Sequence, residues 1–301
     1  MNSPDRRLLL VHAHPDDETI GNGATMAMYA AQGVGVTLVT SNRGEMGEVL
    51  VPGLAHLAFE HDNGLGAHRE TELADAMQAL GVTDHRFLGG PGHFHDSGMV
   101  WAEDGSATAG TDVPEGAFWH ADLLGAADLL VAIIREVRPQ VLVTYDQFGG
   151  YGHPDHVQAH RVATYATSLA AVRSYRPDLG AAWDIAKVYW SAMSKSQMAD
   201  GLRKLRADGD TTTFEGWDPD NMPWGADDDE LDAVIVADDF VDAKMAAMAA
   251  HATQIALDGP FFALSNNLGT QVWGKEFYRL AKGVSGPVNA EGLEEDLFAG
   301  L

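Results

Sequence analysis

From its first residues the chain alternates short apolar runs with segments of helical periodicity, a rhythm that few architectures other than repeated βα units accommodate. Leu8 to Ala13 reads as a strand, Ala24 to Gln32 as a helix stopped by Gly33, and Val34 to Thr40 as a second strand. The pattern then recurs: a helix over Arg69 to Leu80 ends at Gly81, Phe87 and Leu88 belong to a short strand, and a helix over Ala121 to Val137 ends before Pro139. Val141 to Thr144 is apolar at successive positions, as a strand covered on both faces requires. A helix from Pro154 to Leu169, strands near Lys187 to Trp190 and Ala233 to Val236, and a helix over Lys244 to Ile255 complete the reading. The expected fold is α/β, a Rossmann-like and mainly parallel sheet flanked by helices, with elaborated active-site loops. The segment from Gly89 to Phe118, rich in Gly, Asp and His, is too long for a plain connection and is read as a functional loop. Neither an internal repeat nor a Pro- or Ser-rich linker divides the chain. One domain over residues 1–301 is expected, with a core over 1–170 and a C-terminal elaboration over 171–301.

Composition narrows the chemistry. The chain has no cysteine, so disulfides, thiolate metal sites and cysteine nucleophiles are excluded together, and any metal must sit on nitrogen and oxygen. A formal net charge of -25 without a basic stripe argues against nucleic acid as a partner. Much of the acid lies between Arg206 and Lys244, where there is no lysine or arginine, and this segment over 208–242 reads as a solvated surface with no assigned function. His12, His14 and Asp16 break the apolar run behind the N-terminal arginines, which a secretory segment does not tolerate. Asp128 and Arg135 interrupt the best candidate for a membrane span. A cytoplasmic enzyme is expected.

Two histidine-rich segments follow predicted strands: His14-Pro-Asp-Asp17 after the first, and Tyr151-Gly-His-Pro-Asp-His156 after Val141 to Thr144. Five of the 13 histidines, His12, His14, His153, His156 and His160, lie in or beside them, a concentration that isolated structural histidines do not explain. In open α/β sheets ligands bind outside the carboxyl ends of the strands, where such segments converge. Pro154 suits the first position of a helix, which puts His153 near the N-cap and His156 on the first turn, three positions apart on one face. Pro15 disfavours helical geometry at His14 and imposes a turn that brings His14 and Asp17 toward one point. Two nitrogens, one carboxylate and an open position is how catalytic zinc is commonly held, and His14, Asp17 and His156 supply that set. His12, on the strand itself, reads as a core or supporting histidine, and His160 as packing or support.

The pair "AHPDDE" and "GGYGHPDH" resembles the zinc-dependent N-acetylglucosaminyl de-N-acetylases of the PIG-L/LmbE-like family. "SNRGEMGEV", "LGGPG", "DSGM", "AHATQ", "ALSNNL" and "EEDLFAGL" resemble its mycothiol-biosynthesis branch along nearly the whole chain. The resemblance implies that His14, Asp17 and His156 bind Zn2+, with Fe2+ open to the same ligand set, and that Asp16 is the general base. It makes His153 the candidate acid and Tyr151 a donor to the carbonyl oxygen, although an aromatic that only packs its loop fits Tyr151 as well. Asp155 either orients His153, holds the adjacent loop, or serves only as a carboxylate in the first turn of its helix. Arg69 and Asp96 are implied to hydrogen-bond substrate hydroxyls, with His95 and Met99 as further candidates. The implied activity is removal of the acetyl group from an N-acetylglucosaminyl-inositol, a small amino-sugar substrate. Two rivals are kept: a mycothiol S-conjugate amidase, which cuts a larger amide, and a non-catalytic, metal-dependent sugar-binding protein, against which the presence of Asp16 argues.

Overall fold

The computed structural model describes residues 5–103, 105–212, 215–222, 225–256 and 274–301. In chain order its strands and helices are β1 (Arg7–His12), α1 (Asp17–Ala31), β2 (Gly35–Thr40), α2 (Leu65–Leu80), β3 (Asp84–Phe87), β4 (Val100–Trp101), β5 (Ala107–Thr108), α3 (Leu123–Val137), β6 (Val141–Thr144), α4 (Gly149–Gly152), α5 (Pro154–Ala170), β7 (Lys187–Ala192), α6 (Lys195–Ala207), β8 (Ala233–Val236), α7 (Val241–Ala250) and β9 (Lys275–Lys282).

Among the described residues seven strands form one sheet in the order β3-β2-β1-β6-β7-β9-β8. The five strands from β3 to β7 pair in parallel, and β9 then joins β7 and β8 in antiparallel fashion. The expected α/β class is therefore observed, with an antiparallel margin built from the C-terminal part of the chain. In β1 the continuous apolar run divides by side-chain alternation. Leu8 and Leu10 enter one core with Ala24 and Met26 of α1, Leu73 and Met77 of α2 and Ala247 of α7. Leu9 and Val11 enter the other with Leu130, Val131 and Ile134 of α3 and Val162 and Ala166 of α5.

Several element ends differ from expectation. Helix α1 begins at Asp17, well before Ala24, because Asp17 and Glu18 favour its first turn and outweigh the cost of Gly21 and Gly23. Helix α2 likewise begins at Leu65. Helix α7 spans Val241–Ala250 instead of running from Lys244 to Ile255, since His251 turns inward there. Strand β9 and helix α6 were not anticipated. Of the stretches carrying the resemblance, "ALSNNL" lies outside the described residues. Among the described residues no helix is long and apolar enough to cross a membrane.

Among the described residues the margin of the sheet holds two buried ion pairs. Lys187 meets Glu294 at 2.6 Å, with Tyr189 donating to the same carboxylate. Lys244 meets Glu276 at 2.7 Å, and Glu276 also accepts from the amides of Ala24 and Thr25 in α1.

Candidate metal centre and active site

Strands β1 and β6 are neighbours, yet the chain runs from β1 toward β2 and β3 on one side and from β6 toward β7 on the other. A crevice opens at such a reversal, outside the carboxyl ends of the two strands. Both histidine motifs follow the carboxyl ends of these two strands. The turn after β1 holds Asp16 at φ 124° and ψ -35°, a conformation that costs a non-glycine residue about 1–3 kcal/mol and persists only where its surroundings enforce it. The loop after β6 needs glycine: at Gly149, with φ 66°, an added Cβ falls 2.7 Å from the Cβ of His156. Pro154 opens α5 as expected, and His153 is its N-cap, its Nδ1 accepting the Asp155 amide at 3.2 Å.

The carboxylate of Asp17 stands between two imidazoles. Its Oδ2 is 3.2 Å from His14 Nδ1, and its Oδ1 is 3.2 Å from His156 Nε2. Burial alone pushes an acid up, but the facing imidazoles of His156 and His14 hold the Asp17 carboxyl well below the usual carboxylate range. His156 donates from Nδ1 to the carbonyl of Gly149 at 3.1 Å, which turns its Nε2 toward Asp17 Oδ1. Among the described residues that buried Nε2 has no hydrogen-bond partner. An imidazole fixed through one nitrogen with the other unsatisfied is the arrangement of a metal ligand. Together with the all-nitrogen-and-oxygen donor set, it fits a divalent zinc or ferrous ion.

On its far side His14 is backed by carboxylates. Its Nε2 lies 3.3 Å from Asp155 Oδ2 and 3.6 Å from Asp96 Oδ1. Asp155 is fully buried and also accepts from Asn42 Nδ2 at 2.9 Å, from the Ser97 amide at 3.0 Å and from the Ser97 hydroxyl. The Asp155 side chain joins these loops behind His14, and its backbone amide donates to the His153 ring. Asp96 accepts the amides of Met46 and Gly98 at 3.0 and 2.9 Å. His14, Asp96 and Asp155 also form a possible ion-binding cluster by proximity, but these hydrogen bonds occupy both carboxylates.

Asp16 lies beside this group. Burial raises its carboxyl to about 6 against the opposing pull of Arg69. The Arg69 guanidinium is buried and gives one bond to Asp16 Oδ2 at 2.9 Å, another to the Gly44 carbonyl at 2.9 Å and a third to the Pro15 carbonyl. Arg69 thus shapes the turn that carries Asp16. His153 packs edge-on to His14 with centroids 4.6 Å apart, and burial beside the His14 and His156 imidazoles keeps it neutral. With Nδ1 accepting a backbone amide, its proton sits on Nε2. Tyr151 stands edge-on to His156 at 5.1 Å, and burial pushes its hydroxyl up, so it remains a donor. His95 bonds to the Asp96 carbonyl at 2.7 Å, and Met99 is on the surface.

Sequence reasoning missed Tyr145, the residue directly after β6. Its hydroxyl donates to Asp17 Oδ2 at 2.8 Å and accepts the Ala13 amide at 2.8 Å. The signal was its place at a strand's carboxyl end beside the motif. His160 holds the Tyr145 carbonyl at 3.0 Å, a supporting role. His12 is a core histidine, lowered to about 4 by burial, that meets Asn22 at 3.0 Å.

Residues 9–167 match the family described as GlcNAc-PI de-N-acetylase. The chain is 68% identical over 299 residues, 99% of each sequence, to the 1D-myo-inositol 2-acetamido-2-deoxy-alpha-D-glucopyranoside deacetylase of Nocardioides sp. (strain ATCC BAA-499 / JS614). Among solved structures it is similar to the N,N'-diacetylchitobiose deacetylase of Pyrococcus horikoshii, with TM-score 0.60 and 17% identity over 92% of this chain and 84% of that one. The 4-carboxy-2-hydroxymuconate hydratase of Pseudomonas putida KT2440 gives TM-score 0.60 and 17% identity over 95% of this chain and 100% of that one. These two likenesses speak for the fold alone.

Proposed function

Because the chain belongs to the GlcNAc-PI de-N-acetylase family and is a hydrolytic deacetylase, we propose that it hydrolyses the acetamide of 1D-myo-inositol 2-acetamido-2-deoxy-alpha-D-glucopyranoside, releasing acetate and the free glucosaminyl-inositol used in mycothiol biosynthesis. The substrate follows the name of the relative that is 68% identical end to end. The observation that carries the chemistry is the Asp17 carboxylate, 3.2 Å from a ring nitrogen of His14 and 3.2 Å from one of His156, with Asp16 next to it in sequence.

In this reading His14, Asp17 and His156 would hold zinc. When bound, the ion supplies Lewis acidity at the amide carbonyl and at water. Asp16, its carboxyl raised by burial, accepts the proton of the attacking water, and Arg69 keeps that carboxylate turned toward the crevice. Tyr151 donates its hydroxyl to the carbonyl oxygen as charge develops there, a contribution of about 2.7–4 kcal/mol for a well-placed donor. His153, the proposed acid position, donates a hydrogen bond from Nε2–H toward the departing group, and the proton that Asp16 has taken is the one the departing nitrogen receives. Asp155 fixes His14, and Asp96 fixes the backbone around Met46 and Gly98 while remaining a candidate partner for substrate hydroxyls, as does Arg69. The carbonyl–nitrogen bond breaks, giving acetate and an amine.

Acetate release from this substrate by zinc-loaded protein, set against cleavage of a mycothiol S-conjugate, tests the reading. Faster turnover of the conjugate reassigns the chain to amidase chemistry, and binding without turnover of either makes it a sugar-binding protein.

A further inference from the structure

The strained turn at Asp16 is gripped from two directions. Arg69 takes the carboxylate, and Glu18 takes the backbone: the Asp16 amide donates to Glu18 Oε2 at 3.0 Å. Glu18 has no exposure, so its charge needs partners inside the protein. Its Oε1 accepts from the Thr19 hydroxyl at 2.7 Å and pairs with His251 Nε2 at 3.0 Å. His251 is likewise fully buried and arrives from 233 residues along the chain, at the point where α7 stops. The turn behind it is closed by the amides of Gln254 and Ile255 on the His251 carbonyl at 2.9 and 2.8 Å. Thr253 clamps that turn to Glu72 of α2 through its amide at 2.8 Å and its hydroxyl at 2.7 Å. Helix α2 also carries Arg69, and α2 and α7 pack together. Both grips on Asp16 are therefore mounted on one frame.

Resting on the reading of Asp16 as the base, we infer that His251 is a positioning residue for catalysis, acting through Glu18 on the backbone of Asp16 without touching substrate. An apolar pair would fill the same space without burying a carboxylate and an imidazole. What the ionic pair adds is a fixed Oε2 opposite the Asp16 amide. With that acceptor lost, the turn relaxes away from φ 124° and the Asp16 carboxylate leaves its place beside Asp17.

The test compares zinc-loaded wild type, His251→Leu and His251→Gln for kcat, KM, zinc content and melting temperature. In His251→Leu, kcat is expected to fall about 100-fold, the scale of a misplacement near 1 Å, with KM and zinc content unchanged. His251→Gln, which keeps a side-chain N–H for Glu18, should recover most of that turnover. Wild-type turnover in His251→Leu overturns the inference and leaves the proposed function standing, and so does a loss that tracks zinc content or KM. Equal loss in the glutamine variant overturns it too. If His251→Leu does not fold, His251→Asn, polar but too short to reach Glu18, must show the same kcat-only loss. A wild-type holoenzyme that releases no acetate brings down both the function and the inference.

Discussion

Tyr145 lies nearly flat on His156, ring centroids 4.3 Å apart and planes 19° from parallel, while its hydroxyl bonds to Asp17 at 2.8 Å. One side chain therefore orients two of the three proposed metal ligands. Tyr145→Phe keeps the stacking and loses the donor. Zinc affinity, measured by competition with a chromogenic chelator, should drop about 10–100-fold, as for other groups that support a ligand from behind.

The proposed base and the proposed ligands separate by substitution. Asp16→Asn keeps the shape of the side chain and removes its charge, so it should bind a full equivalent of zinc. Its kcat should fall by about 10²–10⁴, the usual worth of a positioned base. Asp16→Ala should also keep zinc and lose most turnover, with added strain at the turn. His14→Ala should lose the metal and the activity together. A fully active Asp16→Ala protein would remove the base assignment.

The pair of Glu18 and His251 gives stability a pH signature. Burial opposes both charges, but each holds its partner ionised: His251 is raised above 6.5 and Glu18 lowered below 4.5. The His251 share is complete below 6.5 and fades as pH rises through its raised value, and the Glu18 share is complete above 4.5 and fades as pH falls through its lowered value. The melting-temperature gap between wild type and His251→Gln should be widest between 4.5 and 6.5 and should narrow toward alkaline pH. A gap that widens with rising pH contradicts the ion pair.

At the sheet margin, Lys187→Met leaves Glu294 buried and uncompensated. A loss of about 3–5 kcal/mol is expected by denaturant titration, the ordinary cost of breaking a buried pair from one side. Turnover per folded molecule should hold, because Lys187 contacts Tyr189, Glu294 and the Ala299 carbonyl, none of them in the crevice.

Strands β1 and β6 were legible because each carries an apolar run, Leu8 to Val11 and Val141 to Thr144, whereas β3, Asp84–Phe87, is polar until Phe87 and only its end could be read. Strand β9 was not: Lys275–Lys282 mixes charged and apolar residues without a regular alternation, and its antiparallel pairing depends on distant partners. The start of α1 was hidden by Gly21 and Gly23, which lower helix propensity where tertiary packing decides. In the site, adjacency in sequence announced His14, Asp16 and Asp17 as one cluster and His153 and His156 as another, and their places after two strands brought the clusters together. The grip of Arg69 on the turn, the bond from Tyr145 to Asp17 and the pairing of Glu18 with His251 span 53, 128 and 233 residues, separations that no local pattern encodes.

The two motifs flank the reversal in strand order, so the turn after β1 and the first turn of α5 have no covalent reason to stay together. A divalent ion held by His14, Asp17 and His156 would act as a clasp across that seam, in a chain that has no thiols with which to make a disulfide. Stripping it should then loosen the seam as well as silence the enzyme, and amide exchange in both segments should quicken together.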